Sequence, residues 1–183
     1  EPGTDPAPRS TGPGEGHPMR ILNVGTVTRR KGHDLLVDAL ARVRTGDWEC
    51  VCVGSLQRDP AFAAEVEAAR DRAGLRDRIH FTGEISERRL DEEWAKASLF
   101  VSPSWYEGYG MALTEALARG LPVVSTRGGA IPQTLPSGAA VLVDPGDAAG
   151  LAAVIDELST SPDRWQAMAE AAVAAAESLP RWP

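Results

Sequence analysis

Short apolar runs alternate with helix-patterned segments along most of the chain, and this alternation narrows the fold more than any other feature. Residues 20–25, 49–54, 79–82, 99–102, 122–125 and 140–143 read as strands of four to six residues. Residues 34–43, 61–73, 86–97, 111–119, 148–158 and 163–178 read as helices. Strands that are apolar on both faces and separated by helices imply right-handed crossovers and a parallel sheet covered on both sides. The expected fold is therefore a doubly wound α/β domain of six strands, and the order 3-2-1-4-5-6 is expected by analogy with that fold class. Such sheets bind ligands beyond the carboxyl ends of their strands, where the strand order reverses, so the loops after Gly25, Gly54, Thr82 and Ser102 are the places to search.

The rest of the chain sets boundaries and exclusions. Half of residues 1–18 are Pro or Gly with no apolar periodicity, the signature of an interdomain linker or extended arm. Residues 19–178 hold one domain's worth of core, and residues 179–183 read as the start of a truncated return segment. A net charge of −7, from 19 Lys+Arg against 26 Asp+Glu, offers no basis for gripping a nucleic-acid backbone. The tight basic triplet Arg29-Arg30-Lys31 must be judged by its place in the fold. Cys50 and Cys52, the only cysteines, are expected to point to opposite faces of their strand and not to pair. With the scattered His17, His33 and His80 they form no zinc-ligand spacing, so no metal is expected. No apolar run approaches the roughly 20 residues needed to span a bilayer. The expected location is cytoplasmic, or peripheral at the membrane.

Residues 102–124 carry the most chemistry, running strand, loop, helix, strand. Gly108 and Gly110 remove side chains where a helix starts, which lets a ligand approach backbone N–H groups without intrahelical partners. The helix dipole favours a phosphate at the same end. Glu107 would be repelled by that phosphate, so its useful work is to accept hydrogen bonds from neutral hydroxyls or to counter developing positive charge. Glu115 lies roughly 7 Å farther along the helix axis, a separation that suits a ribose joined to a pyrophosphate at the helix start. The structural alternative for Glu115 is an i,i+4 ion pair with Arg119.

These residues resemble the E-x7-E signature of the retaining family four glycosyltransferases, with Glu107 and Glu115 as the two glutamates. The match takes in Pro103-Ser104, Gly108-Tyr109-Gly110, Glu115-Ala116, Gly120-x-Pro122-Val123-Val124 and Gly128-Gly129. The resemblance implies a Rossmann-like domain, the C-terminal half of a GT-B architecture. It implies that Glu107 contacts the donor sugar. Backbone groups of Gly108, Tyr109, Gly110, Met111 and Ala112 would hold the pyrophosphate and sugar, and Glu115 the ribose hydroxyls. Residues 24–32 are similar to the family's G-R-L-x-x-x-K-G loop, which adds Gly25, Thr26, Arg30 and Lys31 to the donor site and gives Lys31 the neutralisation of the leaving pyrophosphate. Thr26 departs from the pattern, standing where the family usually has arginine; Arg29 or Arg30 is the candidate replacement, with a solvated role the alternative for Arg29. The loop at Glu84 and Ile85 resembles the one that packs on the nucleobase. Gln133, where glutamate is common, reads as structural.

The resemblance implies transfer of a sugar from a nucleoside diphosphate sugar, with Glu107 and Lys31 as the catalytic residues and no cofactor, the nucleotide sugar being a substrate. The chain contains no Asp-x-Asp pair, the usual clamp for a metal-bound sugar nucleotide, which fits metal-independent chemistry. The implied partner is an N-terminal acceptor domain absent from this sequence, through which any membrane contact would be made. The alternatives are a non-catalytic nucleotide-binding module and a fragment of a GT-B sugar-nucleotide epimerase. Dinucleotide binding is disfavoured, because Gly25 is not followed by a G-x-G-x-x-G turn.

Overall fold

The computed structural model describes residues 9, 10 and 18–177. Most of the expected linker and the whole of 179–183 lie outside the described residues. The elements run β1 (Met19–Val24), α1 (His33–Arg42), β2 (Trp48–Val53), α2 (Pro60–Arg72), β3 (Ile79–Gly83), α3 (Glu87–Lys96), β4 (Leu99–Ser102), α4 (Met111–Ala118), β5 (Val123–Thr126), α5 (Ile131–Thr134), β6 (Ala140–Val143), α6 (Ala148–Thr160) and α7 (Pro162–Ala176). The six strands are all parallel and ordered β3-β2-β1-β4-β5-β6. The expected order is thus found, and the switch point lies between β1 and β4.

Side-chain alternation along the strands divides the core into two layers. Ile21, Cys50, Cys52, Leu99, Val101 and Val124 face one layer, which they share with Leu36 and Leu40 of α1, Phe62 and Val66 of α2, and Leu151 and Ile155 of α6. Leu22, Val51, Val53, Phe100 and Val123 face the other, against Trp94 of α3 and Leu113 and Leu117 of α4. Each such large apolar side chain withdrawn from water stabilises the fold by about 1.5–3 kcal/mol.

The cysteine expectation is corrected here. Positions two apart in a strand return to the same face, and Cys50 Sγ lies 3.9 Å from Cys52 Sγ within one core layer, both thiols free. Two elements were also not anticipated, a 3-10 turn at Arg29–Lys31 and the single-turn α5.

At the switch point Asn23 donates its side-chain amide to the Val101 carbonyl at 2.8 Å, tying β1 to β4 where the loops beyond them diverge. Ahead of β1, Ser10 donates its backbone N–H to the Arg119 carbonyl at 2.9 Å and its hydroxyl to the Ala97 carbonyl. No helix among the described residues is long and apolar enough to cross a membrane.

Candidate functional site

The loop after β1 closes into the 3-10 turn and then into α1 through Gly32, whose φ is +69°. A Cβ there would stand 2.3 Å from the Pro103 carbonyl oxygen, so glycine is required both by conformation and by close approach. This contact presses the basic triplet against the loop that leaves β4. Trp105 reinforces it, donating its N–H to the Arg30 carbonyl at 2.9 Å.

Glu107 sits where the two loops meet, only 6% exposed. Its carboxylate accepts from the Lys31 ammonium, from Ser104 Oγ at 2.8 Å and from Arg30 Nη1 at 3.2 Å. Arg30 also donates to the Tyr106 carbonyl at 2.7 Å. Burial pushes the Glu107 carboxyl pKa up. Hydrogen bonds from Lys31 and Ser104, with the charges of Lys31 and Arg30, outweigh that effect and hold it below the usual carboxylate value. Two cations around one carboxylate leave the cluster with a net positive charge.

Beneath this cluster lies a seam of buried hydroxyls. Ser125 Oγ donates to the Ser102 carbonyl at 2.6 Å, Thr126 Oγ1 donates to the Ser104 carbonyl, and the Gly128 N–H reaches Thr126 Oγ1 at 3.3 Å. The backbone of Glu107 pairs with Gly129, and its carbonyl accepts from the Ala130 N–H at 2.8 Å. Glu107 is therefore held at both backbone and side chain, by β5's loop as well as β4's.

Gly110, at φ +79°, is the N-cap of α4, and no side chain caps the helix. Within its first turn the Leu113 N–H already donates to the Gly110 carbonyl at 2.8 Å, so the amides of Met111 and Ala112 are the ones a helix start of this kind offers to an anion. Five residues on, Glu115 is half-exposed and accepts from Arg119 Nη2 at 3.2 Å, while Arg119 also pairs with Asp91 at 2.7 Å. The i,i+4 pair considered from the sequence is thus present. Arg119 is the one ion-pair partner of Glu115 among the described residues.

A cleft of about 760 Å³ opens over the ends of β1, β2 and β3, lined by Thr26, Thr28, Arg30, Lys31, Ser55, Gln57, Arg58 and Glu84. Of the expected site residues, Thr26, Arg30, Lys31 and Glu84 meet in this lining. Gly25 lies under Lys31, whose Cδ is 3.5 Å from where a Gly25 Cβ would be. Gly108, Tyr109, Gly110, Met111, Ala112 and Glu115 lie outside the lining, on the loop and helix that Glu107 joins to it, and Ile85 packs against the core layer of α3 and α4. Arg29 turns away to pair with Glu65 at 3.0 Å over the Phe62 ring, so of the two arginines in the triplet it is Arg30 that lines the cleft. Gln133 is an exposed residue of α5. Sequence reasoning missed Ser104, Ser55, Gln57 and Arg58. The Pro103-Ser104 pair that precedes Glu107 was a usable signal for Ser104; the other three are marked only by following β2 in a loop at the carboxyl edge.

Comparison with known proteins accords with this geometry. The family model described as "Glycosyl transferases group 1" matches residues 18–161. The lipopolysaccharide core biosynthesis mannosyltransferase LpsB of Rhizobium meliloti (strain 1021) is 32% identical over 160 residues, which is 86% of this chain and 41% of that protein. The chain thus spans about two-fifths of that relative's length. The crystal structure of the C-terminal domain of a glycosyl transferase group 1 family protein, LpcC, from Francisella tularensis matches with a TM-score of 0.80 at 25% identity, covering 91% of this chain and 87% of that one. Anabaena Alr3699/HepE, solved in complex with UDP and glucose, shares the fold with a TM-score of 0.83 at 24% identity, over 90% of this chain and 45% of its own. With the family model covering nearly all of the strands and helices, and a relative about one-third identical across most of the sequence, the chain belongs to the group 1 glycosyl transferases.

Proposed function

We propose that this chain is the donor-binding half of a retaining, metal-independent glycosyltransferase that uses a nucleoside diphosphate sugar. The observation that carries this reading is the ion cluster of Glu107 with Lys31 and Arg30. It welds the loop after β1 to the loop before α4 and sets a net positive charge beside both the cleft and an uncapped helix start. Lys31 neutralises charge on the leaving diphosphate, with the α4 amides assisting. Glu107 holds Lys31 in place and orients the donor sugar, and Glu115 accepts from the ribose hydroxyls. Support comes from LpsB, a mannosyltransferase by name, and from HepE, whose structure holds UDP and glucose. The same reading assigns acceptor binding to a partner domain, keeps the chain in the cytoplasm with any membrane contact made by that domain, and needs neither cofactor nor nucleic acid.

Because protein cations line the cleft and backbone amides start α4 beside it, binding of a nucleoside diphosphate or its sugar is expected to be unaffected by chelator. Calorimetry of the 183-residue chain against UDP, GDP and ADP and their sugars, with and without EDTA, checks this. Affinity that vanishes with EDTA and returns with magnesium would sink the metal-independent reading.

A further inference from the structure

Three cations line the cleft, Arg30, Lys31 and Arg58. The first two are committed to Glu107, so that cluster carries a single net positive charge. A diphosphate ester bears a negative charge on each phosphoryl group. It gains another when its bond to the anomeric carbon breaks, because the electron pair of that carbon–oxygen bond stays on the diphosphate oxygen. The Glu107 cluster alone therefore leaves the ligand under-neutralised.

Arg58 has no ion-pair partner among the described residues. Its neighbour Asp59 is engaged in capping α2, accepting from the Phe62 N–H at 3.1 Å, and Glu84 makes no ion pair with Arg58 although it lines the same cleft. Arg58 lies between β2 and α2 whereas Lys31 lies between β1 and α1, so the two cations come from the loops after adjacent strands. A guanidinium presents its donors as a planar fork that fits two phosphoryl oxygens at once. Resting on the donor-binding reading above, we propose that Arg58 is the second diphosphate-binding cation of this site, recruited from the loop after β2. Arg58 supplies the charge that Lys31 and Arg30 cannot give while they hold Glu107.

The test is calorimetry of the 183-residue chain and of its Arg58→Ala and Arg58→Lys variants with UDP, GDP and ADP, the matching monophosphates and the bare nucleosides, at one ionic strength. For the diphosphate that the unaltered chain binds, Arg58→Ala should lose about tenfold or more in affinity. Arg58→Lys should recover part of it, nucleoside affinity should not change, and thermal unfolding should be unaltered because Arg58 is exposed. Equal diphosphate affinity in Arg58→Ala and the unaltered chain would overturn the assignment and leave the donor-site reading standing. An equal loss for nucleoside and diphosphate would overturn it too, because charge recognition acts on phosphate alone. Failure of the unaltered chain to bind any of the nucleoside diphosphates would overturn both.

Discussion

At the scale of single residues, the site is organised by carboxylates whose partners differ. Glu107 is buried and takes two cations and a hydroxyl, an arrangement in which removing one partner leaves charge without compensation. Glu115 is half-exposed and shares Arg119 with Asp91. That difference separates binding from stability at Glu115. On the proposed reading, replacing it with Ala removes a charged acceptor for ribose hydroxyls, and nucleoside diphosphate binding should weaken by about 1.5–3 kcal/mol per bond lost. Stability should fall by less than about 1 kcal/mol, because Arg119 keeps Asp91. Titration calorimetry beside thermal unfolding reads both quantities; unchanged affinity with a lower melting temperature would reduce Glu115 to a partner of Arg119. The two glutamates, Lys31 and the glycines were legible in the sequence because they stand at fixed spacings within single segments. Arg58 and Ser55 were not, since only the pairing of β2 with β1 brings their loop to the site, and nothing local to their own segment records it.

At the scale of elements, the six strands were legible because each is flanked by helix-patterned sequence and is apolar on at least one face that meets a core layer. The turn at Arg29–Lys31 and α5 escaped because a single turn of helix is too short for an apolar i, i+3, i+4, i+7 pattern to repeat. Within α1 the same burial that docks the helix has a consequence for pH. His33, its first residue, is 1% exposed, and neither ring nitrogen has a partner among the described residues. Burial, aided by the charge of Lys31, lowers its pKa from 6.5 to about 4. In the unfolded chain His33 takes up its proton near 6.5, whereas the folded chain resists until about 4. The stability contributed by keeping it neutral is therefore complete above pH 6.5 and is lost as pH falls through that window. The total is on the order of 3 kcal/mol. A His33→Leu variant should flatten the dependence of unfolding free energy on pH between 6.5 and 4, as measured by urea melts. A slope equal to that of the unaltered chain would show that groups other than His33 carry the whole effect.

At the scale of the whole molecule, the candidate site is built at one edge of one sheet and opens outward. Trp105 is 47% exposed, Tyr106 57% and Met111 63%, and all three belong to the loop and helix start that frame Glu107. In the proposed enzyme, apolar side chains of this size beside a polar site are the surface that a second domain would cover. With the chain spanning 41% of LpsB, the acceptor domain of the proposed enzyme is the natural occupant. Without that second wall, water surrounds the anomeric carbon of a bound donor, and no group holds an acceptor hydroxyl at contact distance. Orientation of the reacting partners is worth about 7–11 kcal/mol of barrier, so its loss removes measurable transfer even where every donor contact survives. The chain alone should bind donor and show no turnover, whereas joining it to its acceptor domain should restore sugar transfer. Sugar transfer and donor hydrolysis, measured on both forms at saturating donor, decide the matter. Turnover by the chain alone at even about one-hundredth of the joined rate would leave only about 3 kcal/mol for the second domain to contribute. That is too little for a missing acceptor site, and the acceptor would then have to bind within these residues.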